Sequence, residues 1–138
     1  MDGARGGATL RYEIDETNKI LLVDIASAGP ADRVLEATVD LITRRSELCS
    51  WDWIVGCEPM TDDATVQHLD ELAKAWGPPP PVEAVTVFIS HDRMLHLWAR
   101  VLDFQFARRK HLIERDIDAA KRLVARRQAA RATKMNGK

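Results

Sequence analysis

Four histidines, two cysteines and two aspartates set inside apolar runs supply the side chains from which this 138-residue chain must build any acid–base, nucleophilic or metal chemistry. His91 and His96 are five positions apart. On a helix that turns them about 140° from each other, so one face cannot offer both to a metal. His68 and His111 are distant in sequence, and no spacing connects them. His91-Asp92 looks like half of an acid–base pair at a helix start. No Gly-x-Ser-x-Gly elbow, P-loop or Gly-x-Gly-x-x-Gly turn accompanies it. Asp24 and Asp52 fall inside predicted strands, where burial can raise a carboxyl pKa into the acid–base range. An Asp near a strand end more often faces solvent or caps a loop.

Cys49 and Cys57 are eight positions apart, which is not a Cys-x-x-Cys spacing. Extended strand between them holds the two about 26 Å apart, too far for a disulfide. Both read as reduced thiols packed like small hydrophobes. The inventory yields no catalytic set, no metal set and no cofactor motif, so the expectation is a non-enzymatic protein without a cofactor.

The elements that position these residues belong to one globular domain. Apolar residues make up 46% of the chain and charged residues 30%, which excludes a disordered or fibrous class. No apolar run approaches the roughly 18–20 residues that cross a bilayer. The opening Met1-Asp2-Gly3-Ala4-Arg5-Gly6-Gly7 lacks the apolar centre of a signal peptide, which points to the cytoplasm. Residues 1–99 carry 8 basic and 17 acidic side chains, and residues 100–138 carry 12 and 4. That dipole suits an acidic partner or surface, but its plainer meaning is a solvated helix end and tail. No aromatic residue follows Phe106, so the basic segment has no platform for stacking bases, and nucleic acid is disfavoured.

Periodicity gives the order ββαβαβαβα. Residues 1–8 are Gly-rich and expected to be flexible, the domain covers 9–130, and 131–138 is expected to be a basic flexible tail. Leu10, Tyr12 and Ile14 alternate with polar residues, and Ile20 to Ile25 is an apolar run of the kind covered on both faces. With the turn residues Asp15-Glu16-Thr17-Asn18 between them they form an antiparallel hairpin. A first helix starts at Ser27-Ala28-Gly29-Pro30, with proline at its first position, and runs to about Leu48. The third strand, 51–57, turns Trp51, Trp53, Val55 and Cys57 to one side. Thr61-Asp62-Asp63 caps a second helix whose stripe is Val66, Leu69, Leu72, Ala73 and Trp76. Gly77 and four prolines end it. Val82 to Ile89 is a fourth strand. Ser90 caps a third helix over 91–107, and Lys110 to Arg115 is an edge strand. Asp116 caps the last helix, with Ile117, Ala120, Leu123 and Val124 inward. Arg127, Arg131 and Lys134 continue that face, which predicts fraying into solvent. The fold class is α/β: a mixed, mostly parallel sheet of about five strands with four helices.

The third helix is the least ordinary element. Met94, Leu95, Leu97, Trp98, Val101, Leu102, Phe104 and Phe106 sweep about 200°, where a helix on a sheet needs little more than about 100°. The excess is either covered core or an apolar surface or pocket. Met94, Leu97, Trp98, Val101, Phe104 and Phe106 are therefore the candidates for a partner or ligand contact.

The whole order, from Leu10 to about Ala130, resembles the STAS domain and its SpoIIAA-like relatives, the anti-sigma-factor-antagonist fold. The local likeness lies in the hairpin Tyr12-Glu13-Ile14 to Leu22-Val23-Asp24-Ile25. It lies also in the ending His111-Leu112-Ile113-Glu114-Arg115-Asp116-Ile117-Asp118-Ala119-Ala120-Lys121-Arg122-Leu123. The resemblance implies a small domain that binds other proteins or, in some members, a small or lipid-like ligand. It also implies a phosphorylated Ser or Thr at the start of the helix after the third strand. Here the Asp-Ser-x-Gly signature is absent and Thr61 alone stands in a comparable place, where Asp62 and Asp63 would repel a phosphate. A plain N-cap is the better reading of Thr61.

Two functions are thus expected. The first is a regulatory domain, of the kind found in bacteria, that works by contact with a protein partner or as a homodimer. Its contacts would lie on the third helix and the loop carrying Glu58, Thr61 and Asp62. The alternative is a binding domain for an apolar or lipid-like small molecule between the third helix and the sheet, with Trp98 and Phe104 lining the pocket. A third reading, a hydrolase or transferase, requires Asp24, Asp52 and His91 to converge.

Overall fold

Residues 10–57, 64–77, 80–93 and 95–136 are described by the computed structural model of the chain. The N-terminal segment 1–8 and the candidate residues Glu58, Thr61, Asp62 and Met94 lie outside the described residues. Strand β1 (Arg11–Asp15) pairs antiparallel with β2 (Ile20–Asp24). The Asp15 carboxylate closes the hairpin turn by accepting from the backbone N–H and side-chain amide of Asn18, at 3.0 and 2.9 Å. β2, β3 (Asp52–Gly56), β4 (Ala84–Ile89) and β5 (Arg109–Glu114) then pair in parallel and in chain order. The expected α/β class, strand count and mostly parallel sheet are what the chain forms.

Chain order with parallel neighbours means each crossover steps to the next strand in the same sense, which keeps the intervening helices on one face. Those helices are α1 (Ala31–Arg44), α2 (Val66–Ala75) and α3 (Leu95–Gln105). They cover a core that includes Leu21, Val23, Leu41, Ile42, Trp53 and Val55. The last helix, α4 (Ile117–Asn136), covers the opposite face, where Ala120 and Val124 meet Ile20, Ile54, Val85 and Val87. Period-two alternation sorts β3 between the two cores, with Trp53 and Val55 to one and Ile54 to the other.

Several element ends differ from the sequence reading, each for a local reason. Pro30 is the N-cap of α1 rather than its first residue, and Gly29 before it takes φ +91°, a left-handed conformation that suits glycine. α1 stops at Arg44, and a 3-10 helix, Ser46–Ser50, turns Leu48 and Cys49 into the core. The N-cap of α2 is Thr65, not Thr61. Its hydroxyl accepts from the His68 N–H while the His68 ring accepts from the Thr65 N–H, so a capping box starts the helix four residues later. α3 begins at Leu95 because Ser90 Oγ accepts from the Asp92 N–H at 2.9 Å and holds the entry as a turn. β5 is an edge strand, as its charges suggest. Among the described residues no helix is long and apolar enough to cross a membrane.

The largest departure concerns Asp52 and α4. Asp52 is 2% exposed. Its Oδ1 accepts from the Val85 N–H at 2.9 Å, and its Oδ2 accepts from Gln128 Nε2 and Arg131 Nη2, both at 2.8 Å. Gln128 also donates to the Asn18 carbonyl. The basic continuation of α4 therefore does not fray at residue 131: it docks on a buried carboxylate and stays helical to Asn136. Removing the carboxylate strands the donors gathered around it, whereas removing Arg131 leaves Asp52 two neutral donors. In urea unfolding, Asp52→Ala is expected to cost about 3 kcal/mol or more and Arg131→Ala about 1–2 kcal/mol. Equal small losses would show that the carboxylate does not anchor α4.

Candidate functional site

On the face under α1–α3 the sheet carries a row of large or polar side chains. In register, Trp53 of β3 stands beside Thr86 of β4, and Thr86 beside His111 of β5. Two residues along, Val55 stands beside Phe88. Arg109 precedes His111 by two positions and so shares its face. The helices do not close down fully on this row. They leave a cavity of about 200 Å³. Its walls include Val34, Leu35 and Thr38 of α1, Leu69 and Leu72 of α2, and Trp98 and Leu102 of α3.

Aromatic rings brace the cavity. Trp76 lies 5.0 Å from Trp53 and 5.1 Å from Phe106 between ring centres, the second pair edge to face. His111 lies 6.2 Å from Phe88, nearly parallel, and 5.9 Å from Phe106. Such contacts hold the rings in fixed orientations beyond what burial alone provides. The Trp53 indole N–H donates to the Leu48 carbonyl at 2.8 Å, and that of Trp76 to the Cys49 carbonyl at 3.3 Å.

Arg109 forms the polar end of the floor. It is 3% exposed, and the Trp76 ring sits 5.4 Å from its guanidinium carbon. Nη1 donates to the Val85 carbonyl (3.3 Å) and Thr86 Oγ1 (2.8 Å), and Nη2 to the carbonyls of Cys49 (3.0 Å) and Trp51 (2.5 Å). Among the described residues Nε is buried without a partner. Burial pushes the Arg109 pKa down to about 10, with the negative charge of Asp52 acting against that shift, so the group is still a cation at neutral pH.

His111 is the second polar group. Its Nδ1 meets Asp103 Oδ1 at 2.9 Å, and its backbone N–H donates to the same oxygen at 2.8 Å. Lys110 Nζ donates to Asp103 Oδ2 at 3.1 Å. Burial works against ionisation of Asp103, but the hydrogen bonds from His111 and Lys110 outweigh it and hold the carboxyl below its usual range. Burial pushes His111 from its ordinary 6.5 down to about 4; Asp103 opposes the shift, while the charges of Arg109 and Lys110 favour it. The ring is therefore neutral at pH 7. A third polar group of the lining is His68, with Nε2 2.7 Å from Asp32 Oδ1, tying the first turns of α1 and α2 together.

Of the residues singled out on α3, Trp98 and Phe106 line this cavity, and Phe106 is buried. Leu97 and Phe104 are 59% and 93% exposed, and they and Val101 do not line it. Phe104 is thus a surface residue rather than a pocket wall. The reason is angular: at 100° per residue, Leu95, Trp98 and Leu102 fall within about 60° of one another, and Leu97, Val101 and Phe104 cluster on the far side. The wide apolar arc is two stripes. Asp24 ends β2 beside Gly56, and Asp52 begins β3 four residues earlier, about 13 Å along the strand. Asp52 is also committed to α4, so the carboxylates do not share a cleft. His68 and His111, by contrast, line one cavity across a gap of sequence that hides their proximity. Thr65-x-x-His68 has the spacing of a capping box, and alternation puts Arg109 and His111 on one side of β5; those are the signals by which they were legible. Cys49 and Cys57 are free and buried, and burial raises the Cys49 pKa. Among the described residues no three His, Cys, Asp or Glu side chains gather as a metal set.

Comparison of the chain with protein-family models, curated proteins and solved structures returned no match.

The depressed His111 pKa has a stability consequence. The unfolded chain takes up the imidazole proton at about 6.5 and the folded one only at about 4. Stability is therefore full above the first value and falls as pH drops through this window, by up to roughly 3 kcal/mol. His111→Asn keeps an N–H donor for Asp103 but does not titrate. Urea unfolding at stepped pH is expected to show a flatter profile for the variant between pH 6.5 and 4; an unchanged slope would place the proton uptake elsewhere.

Proposed function

We propose that this chain is a binding domain for an apolar or amphipathic small molecule, held between α1–α3 and the sheet. The cavity of about 200 Å³, walled by apolar helix residues and aromatic rings, is the observation that carries this reading. An engineered apolar cavity of about 150 Å³ holds a benzene ring, and drug-sized sites start near about 300 Å³. The size suits one or two fused rings, or an acyl chain of similar bulk. By the scaling of stability with cavity volume, filling such a space is worth up to about 5 kcal/mol. Kinship with STAS and SpoIIAA-like domains is part of the proposal and rests on the element order, a hairpin followed by three parallel crossovers.

Naphthalene is a direct probe. Calorimetric melting at saturating naphthalene is expected to raise the Tm of the wild-type chain by several degrees. Leu35→Trp, which fills the space from α1, is expected to abolish that rise. No shift in the wild-type chain would overturn the reading.

A second reading, contact with a protein partner or a second copy, is supported by exposed Leu97 and Phe104, with half-buried Val101 between them. Sedimentation velocity checks the homodimer form of it. A dimer that Phe104→Glu converts to monomer, with the naphthalene effect intact, is the expected result; a wild-type monomer removes the homodimer.

A further inference from the structure

His111 stands in the cavity wall beside Phe88 and Phe106, and among the described residues its hydrogen bonds engage one ring nitrogen only. An ionised carboxylate accepts hydrogen bonds and cannot donate. Asp103 is held in that form by three donors, the His111 ring, the His111 backbone N–H and Lys110. The imidazole proton must therefore sit on Nδ1, and in the neutral ring Nε2 carries the lone pair. No described residue donates to it. Phe88 and Phe106 flank the ring, and His111 lines the cavity.

Arg109, two positions earlier on the same strand, has only its Nε–H unpartnered among the described residues. All four of its Nη–H groups are engaged by main-chain carbonyls and Thr86, and Trp76 covers the guanidinium. Its charge instead disfavours a proton on His111, as does that of Lys110. A carboxylate brought to Nε2 would face a lone pair, whereas a hydroxyl or amine hydrogen would meet an acceptor fixed in place.

We infer that the cavity recognises an apolar ring or chain that carries a hydroxyl or N–H group and donates that hydrogen to His111 Nε2. Asp103 is the positioning residue that sets the tautomer. The inference rests on the reading of the cavity as a binding site. A site with a fixed acceptor discriminates against the isostere that lacks the donor, because that isostere makes no hydrogen bond to it.

The test is calorimetric titration at pH 7 with three probes on one ring framework: 2-naphthol, naphthalene and 2-naphthoate. The expected result is 2-naphthol about tenfold or more tighter than naphthalene, with 2-naphthoate no tighter than naphthalene. His111→Asn keeps a donor toward Asp103 and should lose the preference while still binding naphthalene. The wild-type comparison stands alone if that variant does not fold. Equal affinity for 2-naphthol and naphthalene overturns the inference and leaves the cavity reading standing. Preference for 2-naphthoate overturns it in favour of an anion site at Arg109. Failure of all three probes to bind overturns the cavity reading itself.

Discussion

The guanidinium of Arg109 is buried with no carboxylate in contact among the described residues, and main-chain carbonyls and Thr86 keep its Nη–H groups hydrogen-bonded. Two of its acceptors, the carbonyls of Cys49 and Trp51, come from the 3-10 helix and the entry to β3; the other two, the Val85 carbonyl and Thr86 hydroxyl, come from β4. One side chain on the edge strand thus reaches across the sheet and fixes where the chain turns before β3. Loss of that anchor would release Cys49, whose carbonyl also receives the Trp76 indole. With Trp76 would go the ring contacts to Trp53 and Phe106 that frame the cavity. A cation so placed costs desolvation, which the acceptors at its four Nη–H groups offset.

Asp52 is the counterpart at the same end of the sheet. It binds the Val85 N–H, the residue whose carbonyl Arg109 takes, and its negative charge eases the burial of that cation. The two groups therefore act on opposite layers through one short stretch of β4. Arg109 secures the helix-covered face that holds the cavity, and Asp52 secures α4 on the other through Gln128 and Arg131.

The cavity follows from what sits in the sheet row rather than from missing side chains. Tryptophan, phenylalanine, histidine and arginine are too large and too directional to interdigitate with helices as Val, Leu and Ile do. Hydrogen bonds and ring contacts fix Trp53, Phe88, Arg109 and His111 in place, and Trp76 and Phe106, at the ends of α2 and α3, pack against that row. The space beneath is apolar over most of its wall, with His111, Arg109 and His68 among its polar groups.

Much of the fold was legible in the residues. Alternation in Trp51 to Cys57 and the continuous run Ile20 to Ile25 specify strands covered on one or both faces, because a side-chain period of two leaves no other way to bury them. The charges of Lys110 to Arg115 mark an edge, and the spacing of Ala120 and Val124 marks the inner face of the last helix. Helix starts were less legible: Thr61, Thr65 and Ser90 are all competent caps, and which of them opens a helix depends on a partner such as the His68 ring. The site was hidden for a stronger reason. His68 and His111 are 43 positions apart by number, and only the parallel crossovers bring α2 and β5 to one cavity. The burial of Asp52 was equally unreadable, since a carboxylate in a strand is solvated or buried according to what another element offers it, here Gln128 and Arg131 from the far end of the chain. Sequence alone therefore determined the strands, the layers and their order, which depend on local periodicity. Tertiary structure alone decided the cavity, the tautomer of its histidine and the two buried charges, because each depends on partners supplied by distant segments.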